Sequence, residues 1–101
     1  MDLRTARLGD FARWVGSEFR LASESRSEEA LRLVEAKPLP ARQGAPRTEP
    51  FSLIFGGTRD RPLDQRIHTL EHDQLGQFGL FLVPIGPGSD GRELHYQAIF
   101  N

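Results

Sequence analysis

Three histidines, His68, His72 and His95, most readily suggest chemistry in this sequence, because imidazole binds metal ions and transfers protons near neutral pH. Glu71 and Asp73 flank His72 and could add a carboxylate. On a helix, His68 and His72 would share one face, whereas on a strand four residues span about 13 Å, too far for two ligands of one ion. The strand interpretation predicts no metal and no cofactor, with the histidines on a solvent face or at a turn.

Serine chemistry is the second possibility. No serine lies in a Gly-x-Ser-x-Gly elbow or next to a histidine in the sequence. A triad from distant residues, such as Ser52, His68 and Asp64, stays open because triads are defined by geometry, although Ser52 is expected to face outward from a strand. The enzymatic alternative is a small hydrolase or ligand-binding barrel that uses His68, Glu71 and His72. It requires that these three side chains line a concave site.

The glycines of residues 86–91 match the G-x-G-x-x-G pattern of dinucleotide-binding folds. In those folds the glycines open a helix, and an acidic residue follows about twenty positions later. Only ten residues remain after Gly91, and they alternate like a strand. A hairpin loop is therefore predicted here instead of a nucleotide site.

Length and composition exclude several classes of protein. The chain has 101 residues, 38% of them hydrophobic and 27% charged, which fits one β-rich domain over 1–101. Thirteen basic and fourteen acidic residues nearly balance, so we expect no nucleic-acid partner. The lack of cysteine excludes disulfides and thiolate sites. The apolar stretch 78–85 is far shorter than the ~20 residues of a membrane span, and no signal-peptide pattern is present. We expect a cytoplasmic protein without membrane contact.

The hydrophobic pattern predicts a mainly β fold, a small antiparallel six-stranded barrel or sandwich with one short N-terminal helix. Apolar residues with helical spacing predict that helix over 7–15, and Trp14 is expected to anchor it over an open end of the barrel. Period-two alternation predicts the strands. The alternating residues are Phe19 and Leu21; Leu31 and Leu33; Phe51, Leu53 and Phe55; Phe78, Leu80 and Leu82; and Leu94, Tyr96, Ala98 and Phe100.

Two segments interrupt this alternation. Residues 37–50 carry four prolines without a period, which predicts a Pro-rich internal loop. Residues 63–74 fit either a helix or an irregular strand by local pattern. The surrounding strands and the poor helix formers Asp73, Gly76 and Gly79 favour a strand.

The segment Leu80-Phe81-Leu82-Val83 is apolar on both faces of its predicted strand. An antiparallel strand with one wet face should alternate instead. Either the helix or the Pro-rich loop covers the second face, or Phe81 and Val83 meet another chain. Phe81 and Val83 are therefore the predicted interaction residues, with a protein partner or a second copy of the chain.

Several motifs carry a family resemblance. They are Phe19-Arg20-Leu21, Pro50-Phe51-Ser52-Leu53-Ile54-Phe55, Leu70-Glu71-His72, Leu80-Phe81-Leu82-Val83-Pro84-Ile85-Gly86 and Tyr96-Gln97-Ala98-Ile99-Phe100-Asn101. In these motifs the chain resembles a small bacterial domain family of unknown function, over roughly residues 8–101. The resemblance implies a stand-alone soluble protein, sometimes encoded near phage-tail-collar-like genes, with no catalytic residues to transfer. It also implies that 67–71 form a strand and that His72 lies at a turn.

Taken together, these observations favour a non-enzymatic protein-interaction or assembly module that contacts its partner around Phe81 and Val83. The resemblance adds a link to phage-tail-like assemblies. The hydrolase or ligand-binding barrel is the competing hypothesis, and the filling of the barrel interior distinguishes the two.

Overall fold

The computed structural model describes residues 2–22, 29–41, 43–44 and 49–101, which form one short helix and six strands. In chain order these are α1 (Leu8–Ala12), β1 (Glu18–Leu21), β2 (Ala30–Pro38), β3 (Phe51–Thr58), β4 (Arg66–His72), β5 (Gly76–Pro87) and β6 (Glu93–Phe100). The mainly β prediction with one N-terminal helix is confirmed. No helix in the described part of the chain is both long and apolar enough to cross a membrane.

The six strands close into a barrel, which decides between the two architectures that the sequence left open. Their order around the barrel is β1-β2-β3-β6-β5-β4, and β4 pairs back onto β1. Each of these neighbouring pairs is antiparallel. Because successive side chains of a strand point to opposite faces, every second residue enters one common interior.

The helix α1 covers one end of this barrel through Phe11. The ring of Phe11 is fully buried, and its centroid lies 6.0 Å from that of Phe51, 6.0 Å from that of Phe78 and 5.5 Å from that of Phe100. Trp14, which was expected to anchor the helix, is only half-buried. The anchor is therefore Phe11, because it alone of the two enters the aromatic cluster at the barrel end.

The predicted helix over 7–15 is too long, because the helix ends at Ala12. The N–H groups of Trp14 and Val15 bond to carbonyls only three residues back, which tightens the chain into turns. Gly16 then adopts a φ of 94°, and its N–H donates to the carbonyl of Leu33 at 2.7 Å. The bond to β2 draws the chain away from the helix axis and leaves Val15 47% exposed.

The predicted Pro-rich loop over 37–50 begins later than expected. Lys37 and Pro38 belong to β2 and pair with Ser52 and Phe51. The loop thus runs from Leu39, whose N–H donates to the carbonyl of Pro50 at 2.9 Å. Positions 42 and 45–48 of this loop lie outside the described residues.

The two remaining structural predictions hold. The ambiguous segment 63–74 contains a strand, β4, which pairs with β5 from Arg66 to His72. The glycine-rich segment 86–91 lies at the hairpin between the antiparallel strands β5 and β6, and no helix follows it, although Gly86 and Pro87 still belong to β5. Gly86 and Gly91 have φ values of 102° and 71°, which are conformations that favour glycine.

Candidate functional site

His72 is the most thoroughly bonded of the candidate residues. It is the last residue of β4, it is buried, and its Nδ1 accepts hydrogen bonds from the N–H groups of Gln74 (3.0 Å) and Leu75 (3.3 Å). An Nδ1 that accepts cannot carry a proton, so the proton of the neutral ring lies on Nε2. Nε2 then donates to Ser17 Oγ, 2.9 Å away. Ser17 Oγ in turn donates to the carbonyl of Trp14.

Aromatic rings surround this imidazole. Its centroid lies 4.5 Å from the ring of Phe19 and 5.1 Å from that of Trp14. Burial lowers the pKa of His72 from its ordinary value of 6.5, because the charged form loses hydration there. His72 therefore acts as a neutral link between the β4–β5 turn and the segment that follows α1.

Ser17 and His72 make a serine–histidine contact that sequence reasoning missed, since the two residues are 55 positions apart and no motif connects them. A catalytic histidine must accept the serine proton on its free nitrogen while the other nitrogen donates to an orienting group. Here the roles are reversed, because the amides of Gln74 and Leu75 occupy Nδ1 and leave the proton on Nε2. The contact is a structural hydrogen bond and does not activate Ser17.

The residues of the enzymatic alternative lie on two faces of β4. His68 and His72 are buried, which corrects the expectation of a solvent face, whereas the alternative expectation of a turn fits His72, which bonds the turn after β4. The Nε2 of His68 donates to the carbonyl of Asp64 at 2.7 Å, because a carbonyl oxygen can only accept. Glu71 is exposed and accepts from Arg20 at 2.9 Å. His68, Glu71 and His72 therefore do not converge on one concave site.

The other chemical candidates also stay apart. Ser52 lies on β3, which does not neighbour β4 in the barrel, and the alternation of β3 places it on the side away from Phe51 and Leu53. Ser52 is nevertheless fully buried, and no described residue bonds its Oγ. Within the described part of the chain, no group of three or more His, Asp or Glu side chains could hold a metal ion.

The barrel interior is filled by large apolar side chains. Phe19, Phe55, Leu70, Leu82 and Tyr96 are almost completely buried there. Near the end opposite α1, the N–H of Leu63 donates to the hydroxyl of Tyr96 at 2.9 Å. A cavity beside these two residues measures about 10 Å³, which is room for about one water molecule at most. This cavity cannot hold an organic substrate.

The outer side of β4, β5 and β6, in contrast, exposes large apolar side chains to solvent. Ile67 is 65% exposed, Phe81 is 47% exposed and Ile99 is 54% exposed. Ile67 pairs directly with Phe81, and Val83, which is half-buried, pairs with Gln97 on β6. We call the surface formed by Ile67, Phe81, Val83 and Ile99 the β4–β6 face.

This face brings the two predicted interaction residues, Phe81 and Val83, together with Ile67 and Ile99, which were not predicted to be interaction residues. Neither α1 nor any described part of the Pro-rich loop covers Phe81. The sequence alternation of Ile99 with Ala98 and Phe100 predicts that Ile99 points outward. Ala98 and Phe100 are both buried, as this alternation requires. Ile67 becomes visible only once the register of β4 against β5 is known.

A groove borders the β4–β6 face where β5 and β6 separate. The two strands pair from Val83 and Gln97 toward the hairpin, but not in the opposite direction. There an open groove of about 280 Å³ lies between Gly79–Phe81 and Ala98–Asn101, with Leu3 and Arg4 beside it. The face thus combines projecting apolar side chains with a depression whose lining is both polar and apolar.

Comparisons with known proteins add one finding. A family model described as a domain of unknown function, DUF6916, matches residues 6–100. No curated protein and no solved structure matches the chain. Since the family match spans nearly the whole sequence, including the barrel, α1 and the β4–β6 face, the chain belongs to the DUF6916 family of domains of unknown function.

Proposed function

We propose that this protein is a non-enzymatic interaction or assembly module that binds a protein partner through the β4–β6 face. The observation that carries the proposal is the exposure of Phe81, 47%, on the outer side of a strand that is apolar on both faces. Grouped exposed apolar side chains mark interaction surfaces in soluble proteins. Phe81 and Val83 are the proposed central contacts, and Ile67 and Ile99 extend them on either side.

The charge distribution of this face supports a protein partner. The remaining outward positions near its centre are uncharged, and they are Thr69, Gln77, Gly79 and Gln97. Protein–protein interfaces are depleted of charge at their centres and rich in aromatic residues. Nucleic acid and anionic membranes require a basic surface instead, so neither is the proposed partner.

The family resemblance described above suggests the setting. We propose that the protein acts in the bacterial cytoplasm and that its interactions serve a phage-tail-like assembly. The match to a domain of unknown function is compatible with this setting. The filled barrel interior and the reversed roles in the Ser17–His72 contact favour binding over hydrolysis.

Site-specific photo-crosslinking tests the proposal. A benzoylphenylalanine replaces Phe81 in one sample and Val15 in another, since both residues are 47% exposed and Val15 lies after α1, outside the face. In cells, we expect a crosslinked protein adduct from position 81 and little from position 15. Adding Ile67→Glu should lower the adduct about tenfold, because a charge placed within an apolar contact weakens binding by about 1.4 kcal/mol or more. Equal adducts from positions 81 and 15, or an adduct indifferent to Ile67→Glu, would refute the proposal.

A further inference from the structure

We infer that the partner of the β4–β6 face is a second copy of this chain, bound about a two-fold axis that passes through the face. The inference rests on the proposed function, because it names the partner of the same surface. Three properties of the face support it: its shape, its charge and its area.

The shape is self-complementary. In a two-fold contact the same patch meets itself, so every projection must find a depression on the same patch of the other copy. Ile67 projects from β4 and is the most exposed large apolar side chain described, at 65%. The groove between Gly79–Phe81 and Ala98–Asn101 lies on the other side of Phe81. Rotation by 180° about an axis near Phe81 places Ile67 of each copy over the groove of the other.

The charge distribution allows identical faces to meet. Near a two-fold axis each residue lies close to its own copy, so any charge there would meet a like charge. The centre of the β4–β6 face carries no charged side chain. Of the charged side chains near the face, Glu71 bonds Arg20 at 2.9 Å, and Arg4, which lies beside the groove, bonds Asp2 at 3.3 Å. A net charge of −1 adds little repulsion between whole molecules.

The area fits a weak dimer. Ile67, Phe81 and Ile99 are each about half exposed, and with Val83 they present on the order of 300 Å² of apolar surface. A standard interface buries about 800 Å² on each partner, of which a little over half is apolar. The face supplies most of that apolar share, with its uncharged border completing the contact. We therefore expect a dimer that forms as the protein concentration rises and dissociates on dilution.

Sedimentation equilibrium of the purified chain over about 1 µM to 1 mM tests the inference. We expect the mean mass to rise from 11.4 kDa toward twice that value. Ile67→Glu should keep the monomer mass over the whole range, because it would place a carboxylate of each copy against the apolar side chains of the other. Val15→Glu, which adds the same charge at a residue outside the face, should dimerise like the wild type.

Two controls keep the result interpretable. Circular dichroism and thermal unfolding must show that Ile67→Glu is folded, and we expect this because Ile67 is exposed. Ile99→Glu provides a second variant of the same face. A single species of 11.4 kDa at all concentrations, or dimers unaffected by both face variants, would overturn the inference. If the wild type stays monomeric while position 81 still crosslinks to a different protein, only the second copy is excluded and the proposed function stands. If both experiments are negative, both fail.

Discussion

His72 shows how one buried side chain can resemble a catalytic group and serve as a structural one. The distance from its Nε2 to Ser17 Oγ would suit a nucleophile–base pair. The second ring nitrogen decides otherwise, because two backbone amides donate to it. The position of the proton therefore follows from the turn that comes after β4, and the sequence motif Leu-Glu-His carries no information about it.

The bonding of His72 predicts how stability depends on pH. Burial lowers the pKa of His72 in the fold below the value of about 6.5 expected in the unfolded chain. At a pH between the lowered pKa of His72 in the folded chain and its pKa in the unfolded chain, His72 binds a proton only in the unfolded chain. The free energy of unfolding should therefore be fully retained above about pH 6.5 and decline as the pH falls below it. Arg20 lowers this pKa further, whereas the carboxylate of Asp73 raises it in part.

Urea unfolding at a series of pH values measures this contribution. His72→Asn provides the comparison, because the Asn Oδ1 can still accept from the amides of Gln74 and Leu75 but does not titrate. The variant should lose less stability than the wild type on acidification from about pH 7 to 5. Parallel pH profiles would show that His72 does not take part in the acid destabilisation.

At the scale of secondary-structure elements, the main structural role of α1 is to place Phe11 in the open end of the barrel. Five residues of helix are too few to be stable alone, so packing must hold them. The N–H of Arg7 donates to Asp10 Oδ2 at 2.9 Å, which satisfies one amide at the start of the helix. Packing against the core comes from the aromatic contacts of Phe11 and from Leu8.

Truncation of Phe11 should therefore be costly. Phe11→Ala removes a fully buried ring that contacts Phe51, Phe78 and Phe100, and we expect a loss of about 3–5 kcal/mol in the free energy of unfolding. Val15→Ala, in the segment just after the helix, should change that free energy by less than about 0.5 kcal/mol, since Val15 is exposed. Chemical denaturation of both variants measures the difference. Comparable losses would mean that Phe11 does not hold the helix on the barrel.

The same element shows why its bounds could not be predicted. The spacing of Leu8 and Phe11 indicates a helix, and Val15 extends the pattern to one more turn. The chain leaves the helix early because the N–H of Gly16 bonds to Leu33, a residue of β2 that is distant in sequence. A long-range hydrogen bond of this kind overrides local periodicity. The Pro-rich loop begins later than predicted for a similar reason, because pairing with Phe51 keeps Pro38 within β2.

At the scale of the whole molecule, period-two alternation predicts five of the six strands and their apolar interior, whereas β4 was assigned from its context. Closure into a barrel depends on the pairing of β1 with β4, and neither strand indicates that partner in its own sequence. The residues of the β4–β6 face likewise differ in whether the sequence alone predicts them. Phe81 and Val83 were visible because their strand is apolar on both faces, whereas Ile67 joins them only through the register of β4 against β5.

The proposed function requires that a protein partner cover the exposed β4–β6 face. Hydroxyl-radical labelling of side chains, read by mass spectrometry, compares this face in dilute purified protein and in the cell. For Phe81 and the equally exposed Val15, we predict labelling in the purified protein according to intrinsic reactivity and exposure. In the cell, Ile67, Phe81 and Ile99 should lose most of their labelling while Val15 keeps its own. Unchanged labelling of the three face residues relative to Val15 would contradict the account.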